Sequence, residues 1–475
     1  MASVFDMTSK QLEQQPTIAA IATPIGQGGV GVIRLSGKSA YKIGCAITRR
    51  EHLTPRYAHF GGFFGADGII DEGVVIYFQA PHSFTGEDVV ELQGHGGMVL
   101  QNLLLDRLFE LGARQATAGE FSLRAFENDK IDLVQAEAIS DAIAATSVAQ
   151  ASSAIRSLTG EFSNKINGLV DDLTHLRLYV EAAIDFPDEE DVDFLSDGVI
   201  ETRLNQVLSG IDEILATAKQ GQLLRDGVHV VLAGKPNAGK SSLLNRLAGT
   251  DRAIVTDIAG TTRDTLEETL VLGGLTVHLT DTAGLRDTTD KVEQIGIARA
   301  RDAINKADVL LMVYDVSRET DPIALAKELF SVGVDGDIQA ILDQKLIMVA
   351  NKCDLLADNQ TVSHGTSNQQ CQQPSHAYVS CETKQGIDEL IQVLGDKVGF
   401  HPPENSLIAR TRHIDALKRA RQYAQEAHEQ LVYYRAGELV AESLRLSQQA
   451  LGEITGQVSA DELLGKIFSS FCIGK

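Results

Sequence analysis

Eight residues, Gly234-Lys-Pro-Asn-Ala-Gly-Lys-Ser241, fit the pattern G-x-x-x-x-G-K-[ST]. In such a loop glycines let backbone N–H groups close around phosphate oxygens, a lysine reaches the β- and γ-phosphates, and a hydroxyl takes Mg²⁺. Lys240 and Ser241 hold those last two positions, and Asn237, Ala238, Gly239 and Ser242 belong to the same turn. Base identity is carried further along. Asn351-Lys-Cys-Asp354 fits N-K-x-D, in which the Asp354 carboxylate accepts from the N1–H and exocyclic amine that guanine has and adenine lacks. GTP is therefore expected rather than ATP. Ser380-Cys-Glu382 would back the guanine, with Lys352 and Cys381 in the same set. Asp281-Thr-Ala-Gly284 fits D-x-x-G, where the aspartate orders Mg²⁺ through water and the glycine N–H meets the γ-phosphate; Thr282 and Ala283 lie between them. A hydroxyl in Gly260-Thr-Thr-Arg-Asp264, at Thr261 or Thr262, completes the Mg²⁺ shell. Each short motif is weak alone; four in the right order are strong.

One position departs from the Ras-like pattern. Leu285 stands where those GTPases place the glutamine that orients the attacking water, and an apolar side chain cannot do that. No arginine finger is identifiable either, so some other cation is needed between the phosphates.

The elements that must hold these residues follow from patterning. Val228–Ala233, Leu275–Thr280, Val309–Asp315 and Leu346–Asn351 are β-rich apolar runs, as buried parallel strands should be, and a helix over Ser242–Leu247 follows the phosphate loop. This is a doubly wound α/β domain, predicted at 222–403. Residues 1–129 read as an α+β unit, with strands at Thr17–Ala22, Val30–Ser36 and Gly73–Gln79 and a helix near Gln101–Leu111. From Leu133 the spacing turns helical, through Leu169–Ile184 and Val199–Leu224, and again from Ile408 to Phe471. The α/β domain is thus expected to be inserted into an all-α domain made of 130–221 and 404–475. The carboxylate-rich Asp185–Asp193 reads as a solvated connection, lacking the spacing and glycine of a calcium loop. Residues 357–377, rich in Gln, Ser and Asn, read as a surface loop.

Composition sets the limits. At 475 residues the chain is about three times the ~150 of a typical domain, so several compact units are expected. A hydrophobic share of 43% with 23% charged residues excludes a disordered chain, and no apolar run approaches the ~18 residues of a spanning helix. The first residues lack a basic start followed by an apolar stretch, so neither a secretory signal nor a transit peptide is expected, and the chain is predicted to be cytoplasmic. Cys45, Cys353, Cys371, Cys381 and Cys472 are odd in number and widely spaced, which supports neither a disulfide framework nor a zinc knuckle. A net charge of −23 argues against a broad basic face for nucleic acid, so any RNA contact is local. The candidate is Arg410, Arg412, Lys418, Arg419 and Arg421, where the alternative is a solvated helix face.

Beyond the GTPase motifs, the chain carries Ala22-Thr-Pro-Ile-Gly-Gln-Gly-Gly-Val-Gly31, Ser83-Phe-Thr-Gly-Glu-Asp88, Gly94-His-Gly-Gly97, Asn128-Asp-Lys130 and Phe471-Cys-Ile-Gly-Lys475. Together these resemble the MnmE (TrmE) family of tRNA-modifying GTPases over essentially the whole length. The resemblance implies an N-terminal folate-binding, dimer-forming domain, a discontinuous helical domain and an inserted G domain. It also implies a homodimer that acts with an FAD-dependent MnmG-type partner on tRNA, installing an aminomethyl or carboxymethylaminomethyl group on C5 of the wobble uridine. The one-carbon donor would be 5-formyltetrahydrofolate or a related reduced folate. Carried onto this sequence, it makes Asn237 a K⁺ ligand with Thr256, Ile258 and Thr261, extends the GTP-binding set through Asp257, Ala259 and Gly260, and makes Glu293 the residue that positions the water. On the sequence alone Glu293 reads as a solvated carboxylate at a helix start. Arg34, Glu87, Lys130 and Lys475 match folate-ligand positions, and a basic side chain suits the glutamate carboxylates of a folate. Cys472 matches a terminal cysteine that is either a nucleophile or proton donor, or a plain helix-end thiol. Cys353 and Cys381 replace small residues common in the two guanine motifs, and 332–345 and 357–377 look longer than the usual connections.

Three patterns carry less than they suggest. Gly26-Gln-Gly-Gly-Val-Gly31 satisfies G-x-G-x-x-G, but a strand rather than a helix follows it. Gly94-His-Gly-Gly97 resembles an oxyanion loop without any G-x-S-x-G nucleophile, and reads as a tight turn. Cys472-Ile-Gly-Lys475 is a poor prenylation box, because neither its glycine nor its final lysine suits one. Two further functions compete: a ribosome-assembly or signalling GTPase accounts only for 228–400, and a folate enzyme with a regulatory G domain accounts for the ends.

Overall fold

The computed structural model describes residues 15–24, 26–185, 198–249, 267–281, 302–331, 338–356, 375–401, 407–457 and 461–474. The chain divides into two compact units, one made of 1–140 with 451–475 and the other of 141–450.

The first unit is built on a sheet of six strands: β1 (Ile18–Ile21), β2 (Gly31–Ser36), β3 (His59–Phe64), β4 (Ile69–Phe78), β5 (Val89–Gly94) and β6 (Arg114–Gln115), in the order β3-β4-β5-β2-β1-β6. All neighbours are antiparallel except β1 and β6. Alternation sorts the side chains. Ile33 and Leu35 of β2 and Val90 and Leu92 of β5 enter a core with Ile43 and Ile47 of helix Ala40–Thr48 and Leu104, Leu105 and Leu108 of helix Met98–Glu110. The intervening positions, Arg34 and Glu91, are opposite one another in the β2–β5 register on the other face. Gly31 leads into a strand, as expected, so the glycine run before it opens no phosphate-binding helix. Helix Asp461–Ser469 returns to this unit, where Ile467, Phe468 and Phe471 pack with Leu133 and Ala136.

The second unit contains long helices and a doubly wound sheet. Helices Glu161–Asp185, Val199–Asp226 and Thr411–Glu429 bury apolar positions at helical spacing, among them Leu169, Leu173, Leu176 and Val180, then Leu204, Val207, Ile211 and Leu215. On Thr411–Glu429 the buried row is largely alanine, Ala416, Ala420, Ala424 and Ala427, which lets helices approach closely. The sheet comprises β7 (Val228–Ala233), β8 (Glu267–Leu272), β9 (Leu275–Asp281), β10 (Val309–Asp315), β11 (Leu346–Asn351) and β12 (Ser375–Val379), ordered β12-β11-β10-β7-β9-β8. Only β8–β9 is antiparallel. Alternate strand residues feed two cores, one closed by helices Lys240–Ala248 and Ile387–Val398, the other by Pro322–Ser331 and Ile338–Lys345. The architecture is thus an N-terminal α+β domain, a helical domain and an inserted G domain.

Two expectations about connections need correction. The polar stretch 357–377 is not loop throughout, since Ser375–Ala377 already belong to β12, where Ala377 is wholly buried beside β11. Within 332–345, residues Ile338–Lys345 form a helix that buries Leu342 against the sheet.

Candidate nucleotide site

Phosphate loop and base loops converge at the C-terminal edge of the parallel strands, where open α/β sheets place their ligands. β7 ends at Ala233, and the loop that follows turns through left-handed conformations at Asn237 (φ 66°) and Gly239 (φ 95°) before helix Lys240–Ala248 begins. Glycine is required at 239 for a second reason: a Cβ there would lie 2.1 Å from Asn351 Nδ2. At Gly234 it would lie 2.2 Å from the Val313 carbonyl oxygen. Lys240 is buried, and its Nζ donates to the Gly234 and Lys235 carbonyls at 2.8 and 3.3 Å, so the ammonium arches over its own loop. Lys235 pairs with Glu319 at 2.7 Å.

Asn351, at the end of β11, is 2% exposed; its Nδ2 donates to the Ala238 carbonyl at 2.8 Å and its Oδ1 accepts the Lys352 N–H at 2.8 Å. It fastens the base-reading loop to the phosphate loop. Lys352 Nζ meets Asp315 Oδ2 at 2.7 Å. Burial pushes the Asp315 carboxyl up, but the hydrogen bonds from Lys352 and Ser317 outweigh it and hold it below its ordinary range. Ser380 accepts the Thr383 N–H at its hydroxyl and donates its own N–H to Gln385, closing the last loop. Burial pushes the Cys353 and Cys381 thiols up, so both are held as neutral, compact side chains.

A cavity of about 560 Å³ lies among these loops, lined by Gly239, Ser242, Asn351, Lys352, Asp354, Cys381 and Glu382, seven positions singled out from the sequence. Three lining residues were not: Asn245, Arg246 and Leu355. Asn245 and Arg246 follow Ser242 at i+3 and i+4 on the same helix, a spacing that could have found them. Arg246 Nε and Nη2 both donate to the Cys381 carbonyl, at 2.9 and 2.6 Å, tying the helix behind the phosphate loop to the loop behind the base. Thr256, Asp257, Ile258, Ala259, Gly260, Thr261, Thr262, Thr282, Ala283, Gly284, Leu285 and Glu293 lie outside the described residues, as does the Asp281 side chain, although its backbone ends β9 beside Leu232.

In the first unit, Arg34, Glu87 and Lys130 gather around the segment Ser83–Asp88. Arg34 donates to Glu91 at 2.9 Å and lies 5.6 Å from the Phe84 ring centre. Glu87 accepts the Ser36 hydroxyl at 2.6 Å and Arg124 Nη1 at 2.9 Å; Lys130 Nζ donates to the Pro81 carbonyl at 3.0 Å. No sequence pattern marks Arg124, yet it is 1% exposed and joins Glu87 to Glu120, which also binds Arg114. Burial pushes the Glu120 carboxyl up, but Arg114, the Thr117 N–H and Arg124 more than reverse this and hold it at about 2. Cys472 is exposed, its carbonyl accepting the Gly119 N–H, and Ile473 bridges Ala118; Lys475 lies outside the described residues.

The basic cluster is partly neutralised within the chain. Arg410 meets Asp141 at 2.8 Å, Arg421 meets Asp212 at 2.6 Å, and Lys418 approaches Asp415 at 3.9 Å. No helix among the described residues is long and apolar enough to cross a membrane.

Comparison with known proteins agrees with this anatomy. Residues 17–130 match the family described as the GTP-binding protein TrmE N-terminus, and 133–472 match the MnmE helical domain. A tRNA modification GTPase MnmE of Psychrobacter sp. (strain PRwf-1) is 68% identical over 97% of this chain and 99% of its own, and one from Acinetobacter baumannii (strain AYE) is 58% identical over 98% and 99%. Among solved structures, the G domain of the T. maritima FeoB iron transporter is 26% identical over 36% of this chain and 98% of its own, with a TM-score of 0.25 that decides nothing by itself. With both family regions matched in order and relatives aligned end to end, the chain belongs to the MnmE (TrmE) family.

Proposed function

We propose that this chain is a K⁺-dependent GTPase that, with an FAD-dependent MnmG-type partner, adds a carboxymethylaminomethyl or aminomethyl group to C5 of the wobble uridine of certain tRNAs. Its coarser part, a GTP hydrolase of tRNA modification, follows from the family it belongs to. The observation that carries the reading is the cavity in which the end of the phosphate loop, Asn351-Lys-Cys-Asp354 and Ser380-Cys-Glu382 face one another.

The residues present fit a guanine nucleotide. Gly239 lets the Asn351 amide close against the phosphate loop, Lys240 Nζ arches over that loop, and Asp354 and Glu382 reach the cavity wall. The Ser241 hydroxyl, at the start of its helix, would hold Mg²⁺ with Thr262, and the cation offsets charge developing on the phosphates. Asn237, Thr256, Ile258 and Thr261 would hold K⁺, and Glu293 would position the water in place of Leu285. In the first unit Arg34, Glu87 and Lys130, with Lys475, would hold the reduced folate, the cations taking its carboxylates. Cys472 is proposed as a nucleophile or proton donor. The protein would work as a cytoplasmic homodimer.

Nucleoside analysis of tRNA from cells lacking the chain tests the whole reading: wobble uridines without the side group are expected, and normal ones would overturn it. The ion requirement has its own test. Hydrolysis is expected to be fast in K⁺ and slow in the smaller Na⁺, and Asn237→Ala to lose the difference. Equal rates in the two salts would remove K⁺ from the site.

A further inference from the structure

The chain enters the G domain at the end of helix Val199–Asp226 and leaves it before helix Thr411–Glu429, and one short stretch of the preceding helices grips both crossings. Asp141, with its side chain 7% exposed, accepts Arg225 Nε of the inbound helix at 3.0 Å and Arg410 Nη2 of the outbound segment at 2.8 Å, both on Oδ1. Nine residues on, Gln150 is 5% exposed. Its Nε2 donates to the Leu224 carbonyl at 2.8 Å and to Thr276 Oγ1 at 2.9 Å, while its Oε1 accepts the Thr146 N–H and hydroxyl at 2.7 and 2.9 Å. The crossings are also bound to each other. A Cβ on Gly221 would fall 1.7 Å from the Leu407 carbonyl oxygen, Gln222 donates to the Thr411 hydroxyl, and Gln220 bonds the Gly399 carbonyl and the His401 N–H.

Thr276 is the informative partner. It sits at the root of β9, which pairs with β7 from Val228–Val277 to Leu232–Asp281 and delivers the aspartate of the D-x-x-G motif at its far end. A strand held along its length in a sheet moves as a stiff element. β9 therefore joins Asp281 at one end to Thr276 near the other, and Gln150 joins Thr276 to the helix Val148–Leu158. The junction is also polar, its buried side chains joined by hydrogen bonds and ion pairs. Gln150, Thr276 and Asp141 are all buried, and packed interfaces of this kind switch between discrete arrangements rather than deforming continuously.

We infer that Asp141 and Gln150 form a coupling seat, through which the nucleotide state of the G domain is passed to the helical domain at the Asp141–Arg225–Arg410 and Gln150–Thr276 contacts. Both act as positioning residues: neither belongs to the cavity, and each works through the elements it holds. The inference rests on the proposed GTPase reading and goes beyond it in assigning the relay.

The test compares the full-length protein with Thr276→Val, which keeps shape and removes the hydroxyl, and with Asp141→Asn. Amide hydrogen exchange in helix Val148–Leu158 is measured with GDP and with a non-hydrolysable GTP analogue. In the unaltered protein the two nucleotides are expected to give different exchange, and in Thr276→Val that difference shrinks at least about threefold. GTP hydrolysis without the partner should keep kcat and KM within about twofold, while wobble-uridine modification with the partner falls about tenfold. An undiminished exchange difference in both folded variants would overturn the seat, as would kcat falling in step with modification. Should tRNA modification prove foreign to the protein, the exchange difference still decides the relay, because it needs neither tRNA nor partner.

Discussion

Asn351 and Asp354 stand three residues apart in one motif, yet the structure gives them different work. Asn351 spends its amide on the Ala238 carbonyl and the Lys352 N–H, so it braces the site, whereas Asp354 faces the cavity. Asp354→Asn should therefore leave the fold intact and change the base that binds, since a carboxamide offers an N–H donor where the carboxylate would accept from guanine. Guanine nucleotides are expected to bind at least about a hundredfold more weakly, the loss of charge-assisted bonds worth roughly 3 kcal/mol, and xanthine nucleotides to gain. Titration with fluorescent GDP and XDP measures both, and unchanged GDP affinity would remove Asp354 from base reading. Residues whose role lies in a short motif were legible because the spacing itself encodes the chemistry. Arg124 was not, because nothing in Glu120–Glu127 distinguishes a surface arginine from one buried between Glu87 and Glu120. Its carboxylate partners are 37 and four residues away, and only the folded sheet brings the distant one close.

At the scale of elements, a glycine and a buried carboxylate make contrasting predictions. Gly239→Ala must place a methyl group 2.1 Å from Asn351 Nδ2 at a φ of 95°, so both the turn and the Asn351 brace suffer. A loss of about 1–3 kcal/mol in G-domain stability, with GTP binding reduced further than stability explains, is expected from thermal unfolding and titration. Glu120 anchors the first turn of helix Glu120–Glu127. Its carboxyl is held at about 2 against an ordinary 4.5, so its stabilisation is fully present above pH 4.5 and is lost as pH falls through about 2. Glu120→Gln should accelerate hydrogen exchange in that helix at pH 7, with the gap from the unaltered protein closing between pH 4.5 and 2. A gap constant with pH would show that shape, not charge, matters at Glu120. Elements were read from sequence with uneven success, for a physical reason. Val228–Ala233, Val309–Asp315 and Leu346–Asn351 were legible to the residue because central parallel strands are apolar on both faces. β8 was missed because it is the edge strand and opens with Glu267-Glu268-Thr269, and β12 because its first residues continue a polar stretch.

For the molecule as a whole, a net charge of −23 sets the terms on which an acidic protein can meet tRNA. Long-range repulsion must be overcome by a local patch within about a Debye length of the phosphates, ~8 Å at physiological salt. The cluster at the start of helix Thr411–Glu429 is smaller in effect than its five cations suggest, because Asp141 and Asp212 already take Arg410 and Arg421. Arg410 is moreover part of the coupling seat, so changing it would confuse docking with signalling. Arg412 and Arg419 are the pair whose replacement leaves both of those ion pairs in place, and Arg419 is exposed. If tRNA docks there, Arg412→Glu with Arg419→Glu should weaken binding across tRNA sequences and flatten the dependence of log K on log salt by up to about 2, roughly one unit for each phosphate that is no longer neutralised. GTP hydrolysis without RNA should be unaffected, since neither residue lines the nucleotide cavity. Filter binding or anisotropy over a series of salt concentrations gives affinity and slope together. If both stay the same in the double variant, the phosphates are held elsewhere, and the acidic surface of this chain would leave the tRNA to the FAD-dependent partner proposed above.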